Sequence, residues 1–253
     1  MQENFKPIKH FAQNTWYYKI IFLLRLLIDF QFSSIYKVLK KELPRFKGNV
    51  LDIGCGNSPF KVLLDNNETS YTGIDINYTD TFEYKNNDII HFDGNFIPFG
   101  DHSFDNIIMT EVLEHVFDPT QLISEIHRVL KEGGKCIITI PWSARYHYIP
   151  FDFHRYSPSC LSELFNVFKN IDIKPRGTDI TSIAAKSIVV YFSILKSLLR
   201  FSVSDIIYIP LKILFLFAGC PFLFFLILLG QLSLRLKLGS DNDPLGYTII
   251  INK

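Results

Sequence analysis

The stretch Val50-Leu51-Asp52-Ile53-Gly54-Cys55-Gly56-Asn57-Ser58 limits what this chain can fold into more than any other. Three branched apolar residues around one acid read as a short buried strand, and the glycines that follow let the backbone close tightly around a ligand. The run Pro59-Phe60-Lys61-Val62-Leu63-Leu64 then reads as helix. Strand, glycine turn and helix form the opening unit of a nucleotide-binding α/β domain. A Gly-x-Gly pair also follows strands for steric reasons alone, so the rest of the chain has to decide.

The same alternation continues downstream. Ser70 to Asn77 reads as a second strand carrying Asp75, roughly twenty residues past the turn, where a carboxylate can accept hydrogen bonds from both ribose hydroxyls. Ile89 to Gly94 is a third strand with Asp93 at its end, and Phe104 to Thr110 a fourth. Asp118-Pro119-Thr120 starts a helix through Leu130, which Lys131-Glu132-Gly133-Gly134 stops, and Lys135 to Ile140 is a fifth strand. Three successive strands end in polar groups at one edge, and in a parallel sheet those ends converge on a single crevice.

Composition narrows the class. With 253 residues, 48% of them hydrophobic, one large core with an elaboration is expected rather than two full domains. The formal net charge of +1 gives no basic field for nucleic acid. Cys55, Cys136, Cys160 and Cys220 are scattered without a Cys-x-x-Cys pair, which suits a reducing compartment. The Asn-x-Thr sequons at Asn67 and Asn77 fall inside the α/β region and read as chance matches.

Leu51 to Gly56, Gly73-Ile74-Asp75, Asp93-Gly94 with Ile97-Pro98-Phe99, Ser103-Phe104-Asp105, Val112 to His115 and Val129 to Gly134 occur in a set order. Over about residues 49 to 141 the chain thereby resembles the class I S-adenosylmethionine-dependent methyltransferases, type 11-like. The resemblance implies an α/β fold: a Rossmann-like, doubly wound, seven-stranded sheet, mostly parallel with an antiparallel last strand, here with an apolar helical insertion. It implies S-adenosyl-L-methionine as cofactor. Asp52 and the backbone of Gly54 and Gly56 would hold the methionine part, Asp75 the ribose, Asp93 the adenine amino group, and Glu111 would lie near the methionine end. Cys55, Ile76 and Gly94 complete the implied set. Ser58 stands where a third glycine is often found, and fits if its dihedrals are ordinary. A dinucleotide-dependent dehydrogenase would show Gly-x-Gly-x-x-Gly, whereas Pro59 stands at its third glycine, and it has no use for Asp93 or Leu113-Glu114-His115.

Methyl transfer from a sulfonium is an in-line displacement, so the protein mainly aligns the acceptor and excludes water. A hydroxyl acceptor also needs a base, and His115, just after the fourth strand, is the first candidate. His147, Asp152 and His154 follow in the aromatic segment Tyr146 to Tyr156, which reads as a substrate lid, with Asp152 and His154 as further catalytic candidates. Ser157-Pro158 then starts a helix. The Asp152 to Pro158 segment resembles methyltransferases associated with bacterial cell-surface glycan synthesis. Glu111, Glu114 and His115, with a later histidine, have metal-ligand composition, but the same letters occur in metal-free relatives and no metal is assigned.

Hydropathy sets the remaining expectations. Phe11 to Phe32 looks helical and very apolar, and Ile35 to Leu43 is an amphipathic helix ending before Pro44. Ile171 to Lys174 reads as a sixth strand and Gly246 to Lys253 as the last. The expected organisation is N-terminal helices over 1–47, an S-adenosylmethionine-binding domain over 48–178 and 244–253, and an apolar insertion over 179–243. Ile213 to Leu229 is uncharged and near the lower limit for a membrane span. Both flanking strands belong to one sheet, so the insertion must go in and return or lie in the interface; Gly219 and Pro221 favour a bent or re-entrant path. Lys196, Arg200, Lys212, Arg235 and Lys237 flank it on both sides, which places both ends in the cytosol at the inner face of a membrane. The expected function is O-methylation of a lipid-linked or membrane-proximal small-molecule or glycan acceptor. The alternatives are a quinone or quinol methyltransferase, or a noncatalytic membrane-bound adaptor. Nucleic acid is not an expected partner, and the oligomeric state is left open.

Overall fold

A computed structural model of the chain describes residues 16–76, 89–198 and 208–253. The expected helix before Trp16, the sequon at Asn77 and the flanking Arg200 lie outside the described residues.

Seven strands form one sheet in the order β3-β2-β1-β4-β5-β7-β6. They are β1 (Gly48–Ile53), β2 (Thr69–Ile76), β3 (Ile89–Phe92), β4 (Phe104–Thr110), β5 (Leu130–Pro141), β6 (Asn170–Arg176) and β7 (Gly246–Asn252). β1 to β5 run parallel, and β7 is antiparallel to both β5 and β6. The expected seven-stranded, mostly parallel sheet is therefore present.

Side-chain alternation builds two apolar faces on this sheet. Leu51, Ile53, Ile107, Met109, Cys136, Ile138 and Ile140 face α3 (Pro119–Val129) and α4 (Pro158–Leu164). Val50, Ile108 and Ile137, one residue out of phase, face α2 (Phe30–Glu42) through Phe32, Ile35 and Leu39. The caps are those expected: Asp118 Oδ1 accepts from the N–H groups of Thr120 and Gln121, and Ser157 Oγ accepts from Cys160.

Three local expectations are corrected. The apolar run ending at Phe32 is not one helix: α1 (Trp16–Ile28) stops at Asp29, whose carboxylate caps α2 by accepting from the Phe32 N–H. The run after the glycine turn forms only a single 3-10 turn, Lys61–Leu63. Ser58 at φ +53° turns the chain away from helical geometry, and Asp65, Asn66 and Asn67 follow, which favour turns. Lys131 to Gly134 already belong to β5: helix α3 ends at Val129, and Gly133 at φ +74° takes up the register shift between Phe104–Leu130 and Asn106–Lys135.

Between β6 and β7 the chain forms α5 (Asp179–Leu198) and α6 (Ile209–Leu236), packed against each other. Thr178 and Thr181 bond Ser233 at one end, while Tyr191 stacks on Phe215 further along, so the helices run antiparallel and both ends of the excursion return to the sheet. α6 runs unbroken through Pro221, so the return is made by pairing with α5 rather than by a break at Gly219 or Pro221. The base of the hairpin is seated on α2: Phe30 packs with Ala184, Ile188, Leu226 and Leu245, and a Cβ at Gly230 would stand 2.1 Å from the Phe30 ring.

Candidate cofactor and acceptor site

The strand order reverses between β1 and β4, which is where open α/β sheets bind ligands. Register brings the strand ends level there: Ile53 lies beside Ile74 and Met109, and Ile76 beside Phe92. The turn after β1 is shaped by two glycines in the left-handed region, Gly54 at φ +66° and Gly56 at φ +51°. At Gly54 a side chain is also barred by contact, since its Cβ would meet Val112 at 2.4 Å. Ser58 holds φ +53°, so its dihedrals are not ordinary, and the third position of the turn has glycine-like geometry without glycine.

Asp75 closes the cradle from the side of β2. Its Oδ2 accepts the Gly56 N–H at 2.8 Å and its Oδ1 that of Ile76 at 2.8 Å. Asp52 is buried beneath the turn; its Oδ2 accepts the Tyr71 hydroxyl at 2.8 Å. Burial raises its pKa to about 7; the Tyr71 hydrogen bond opposes that rise and the Asp75 charge adds to it. Cys55 is buried, and burial pushes its thiol pKa up, so it serves packing: its Sγ fills the space a side chain at Gly73 would need. Asp93 Oδ1 accepts the N–H groups of Phe96 and Asn95, which hold its carboxyl below the usual range, and Gly94 at φ +85° sits against Ile76. Asp52, Gly54, Cys55, Gly56, Asp75 and Ile76 thus meet around one turn, with Gly94 reaching it through Ile76.

Glu111 leaves β4 at φ +52° and its Oε1 accepts from Arg176 Nη2 at 2.8 Å. Arg176 comes from the end of β6, is buried, and also donates to the Ile140 carbonyl, to Ser34 Oγ at 2.9 Å and to Gln31 Oε1 at 3.3 Å. Sequence reading missed Arg176, Gln31 and Ser34. An arginine at a strand end was the one available signal, and nothing local to α2 shows that its polar residues reach Glu111's partner.

The single turn Leu113–His115 and the segment Tyr146 to Tyr156 are tied together. The Glu114 carbonyl accepts from the N–H groups of Phe153 and His154, and the Tyr156 hydroxyl donates to the Leu113 carbonyl. Asp152 accepts a two-pronged hydrogen bond from Arg155 at 2.6 and 2.8 Å and the His147 N–H at 3.0 Å. Burial raises the Asp152 pKa, but the Arg155 and His147 contacts outweigh it and the carboxyl titrates below its ordinary value. His115 is near His147, their ring centroids 4.9 Å apart, whereas His154 Nε2 lies by the Phe117 carbonyl and its ring leans on Tyr156. Burial lowers the His115 pKa to about 4, with the Phe151 carbonyl opposing and His147 adding to the effect. Asp152, His154 and Arg155 also line an open recess of about 240 Å³ with Tyr146 and Phe153.

Residues 51–138 match the family model of a methyltransferase domain. The matched stretch runs from the middle of β1 into β5 and includes the turn, Asp75, Asp93 and the Glu111 to His115 segment. Among curated proteins, an uncharacterized protein of Methanocaldococcus jannaschii is 32% identical over 125 residues, 46% of this chain and 53% of the relative. A demethylmenaquinone methyltransferase of Listeria welshimeri is 31% identical over 105 residues, 36% of this chain and 44% of the relative. The chain spans about half the length of the first curated relatives it matches, 53% and 51%. Among solved structures, a SAM-dependent methyltransferase from Archaeoglobus fulgidus has a TM-score of 0.52 at 18% identity, covering 94% of this chain and 100% of that one. Phospholethanolamine N-methyltransferase 2 of Haemonchus contortus has a TM-score of 0.51 at 14% identity, covering 96% and 59%. At those identities the likeness is one of fold.

Proposed function

We propose that the protein is an S-adenosylmethionine-dependent methyltransferase acting on an oxygen of a lipid-linked or membrane-proximal acceptor. The observation that carries the reading is the closure of the Gly54–Ser58 turn on Asp75 at the point where the strand order reverses. Within this reading the backbone of Gly54 and Gly56 and the Asp52 carboxylate hold the methionine part, Asp75 takes the ribose hydroxyls and Asp93 the adenine. The turn is built on two left-handed glycines, Gly54 and Gly56, which carry no side chain to obstruct a ligand approaching the backbone, and this supports the fit. Bound there, the cofactor supplies an electrophilic methyl group. The chain's own residues orient the acceptor beside Glu111 and His115 and exclude water behind the Tyr146 to Tyr156 segment.

The membrane part of the proposal rests on exposure. α6 is long and apolar enough to cross a bilayer, and only 12% of its most apolar window is buried, unlike the core helix of a soluble protein. Phe217, Phe224 and Phe225 stand open to solvent, as do Trp16, Leu23 and Leu24 of α1. α1 lies against α6, with Gln231 Nε2 donating to the Leu26 and Leu27 carbonyls, so the apolar surfaces adjoin. A helical hairpin with both ends at the sheet can dip into a bilayer and return while the crevice stays outside. A quinol acceptor is the second reading, favoured by the similarity to a demethylmenaquinone methyltransferase; a glycan-pathway acceptor rests on the Asp152 to Pro158 segment.

Calorimetry with S-adenosylmethionine tests the enzyme reading: one site per chain is expected, with affinity falling at least tenfold in Asp75→Ala. No binding to the folded wild type would leave a noncatalytic adaptor. Vesicle flotation tests the membrane reading: the wild type should float, and the triple variant Phe217→Ser/Phe224→Ser/Phe225→Ser should shift toward the soluble fraction. Mass spectrometry of lipid extracts with and without the gene then seeks the methyl-sized difference that names the acceptor.

A further inference from the structure

Glu114 is fully enclosed, yet neither of its carboxylate oxygens has a hydrogen-bond partner among the described residues. A buried carboxylate without partners is costly, and burial together with the Glu111 charge pushes its pKa well up. His115 Nε2, 3.5 Å from Glu114 Oε1, is buried and unpartnered as well. Three buried polar atoms with no hydrogen-bond partner among the described residues therefore lie together in one place.

The hydrogen bonds around this space assign the histidine tautomers. His115 Nδ1 lies 2.7 Å from the Phe151 carbonyl oxygen, so Nδ1 carries the proton and Nε2 presents a lone pair. His147 follows the same pattern: its Nδ1 is 2.9 Å from the Arg145 carbonyl and 3.0 Å from Asp152 Oδ2, which leaves Nε2 as the lone-pair atom. An imidazole whose far nitrogen is held by a carbonyl or carboxylate is the arrangement that orients metal-bound histidines. One ligand atom each from Glu114, His115 and His147 lies within 4.8 Å of the others. Glu111, three residues upstream, is outside the set because Arg176 engages its carboxylate.

We propose that Glu114, His115 and His147 bind one divalent transition-metal ion. Two neutral imidazoles and one carboxylate make a borderline donor set suited to zinc, and three protein ligands leave at least one position open. Ligand atoms around a tetrahedral zinc ion stand roughly 3.3 Å apart for bonds of about 2.0 Å, so the three side chains draw together on binding. The ion neutralises the Glu114 carboxylate that the fold otherwise leaves uncompensated. An ion with a position left open would bind an acceptor hydroxyl and lower that hydroxyl's pKa; this last role rests on the methyltransferase reading, whereas metal binding does not.

The test uses full-length protein stripped with a chelator and titrated with Zn²⁺ by calorimetry and with Co²⁺ by visible absorption. One ion per chain is expected, with affinity at least tenfold lower in Glu114→Gln and in His147→Ala while both variants still bind S-adenosylmethionine. Should His147→Ala not fold, His147→Gln takes its place with the same expectation. Stoichiometric binding that both substitutions leave unchanged overturns the proposal. So does a wild type that binds no ion, the result expected if Glu114 is simply protonated and bonded to His115. Zinc binding without S-adenosylmethionine binding would sustain the metal site and sink the methyltransferase reading.

Discussion

The sheet and the α5–α6 hairpin are made of the same kinds of residue and treat them in opposite ways. Ile107, Ile108, Ile137 and Ile138 are wholly removed from water, whereas Phe217, Phe224 and Leu214 on α6 are at 77%, 69% and 63% exposure. The hydrophobic effect acts on both, so the difference lies in what covers them: the sheet is buried by the chain's own helices, and α6 is covered among the described residues by α5, α1 and the Phe30 anchor. An apolar surface of that extent on a folded chain marks a surface for a partner or a bilayer. The length and exposure of α6, with the adjoining apolar face of α1, are what support the proposed bilayer contact.

Substitutions that separate the two regions follow from this contrast. Ile138→Ala in the sheet should lower the unfolding free energy by about 2–5 kcal/mol, read from denaturant midpoints. An effect under about 1 kcal/mol would show that the sheet core is looser than its burial implies. The next effect is one of pH and is confined to the sheet side. Asp52 has a folded pKa of about 7, above the unfolded value of about 3.9, so its stabilising contribution is complete below the unfolded value and is lost as pH rises through 7. The wild type without cofactor should therefore lose on the order of 2–4 kcal/mol between pH 4 and 8 through this group, and Asp52→Asn should remove that slope. Cofactor binding through the ionised Asp52 should also release a proton near neutral pH, measurable by calorimetry in buffers of different ionisation enthalpy.

Gly230→Val probes the joint between the two regions. The added side chain would collide with the Phe30 ring, at a cost of about 1–3 kcal/mol, and hydrogen exchange should speed up in α6 while β4 and β5 stay protected. Equal loss of protection in both would mean that the hairpin and the sheet unfold as one unit. The smallest expected change is Phe224→Ala, within about 0.5 kcal/mol in detergent solution, because the ring has little of the protein packed on it.

Two glutamates at the end of β4 make the same point at close range. Glu111 and Glu114 stand three residues apart, yet Glu111 is paired with a buried arginine from β6, and the Glu114 carboxylate has no hydrogen-bond partner among the described residues. Both were visible in the sequence as polar groups after a strand. The partner of one and the isolation of the other depend on β6 and on the Tyr146 to Tyr156 segment, at separations no local pattern encodes.

Strand periodicity, the glycine turn and the spacing to Asp75 were enough to read from sequence an α/β alternation whose strand ends meet at one crevice, and the mostly parallel, seven-stranded sheet was what the family resemblance implied. Those features are local or repeat at fixed short intervals, so side-chain alternation and backbone freedom express them directly. The return of the apolar insertion also followed from the sequence, since two strands of one sheet cannot lie on opposite sides of a membrane. What tertiary structure decided is everything that needed two distant segments in contact. Asp29 split the first apolar run because its carboxylate caps α2, and Ser58 ended the expected helix by adopting a glycine-like φ. Arg176 reached Glu111 across 65 residues, and His147 came to rest beside Glu114 and His115 because Phe151 and Asp152 hold the two rings by their far nitrogens. A charge's fate depends on which partner folding brings to it, and that is fixed only when the chain closes.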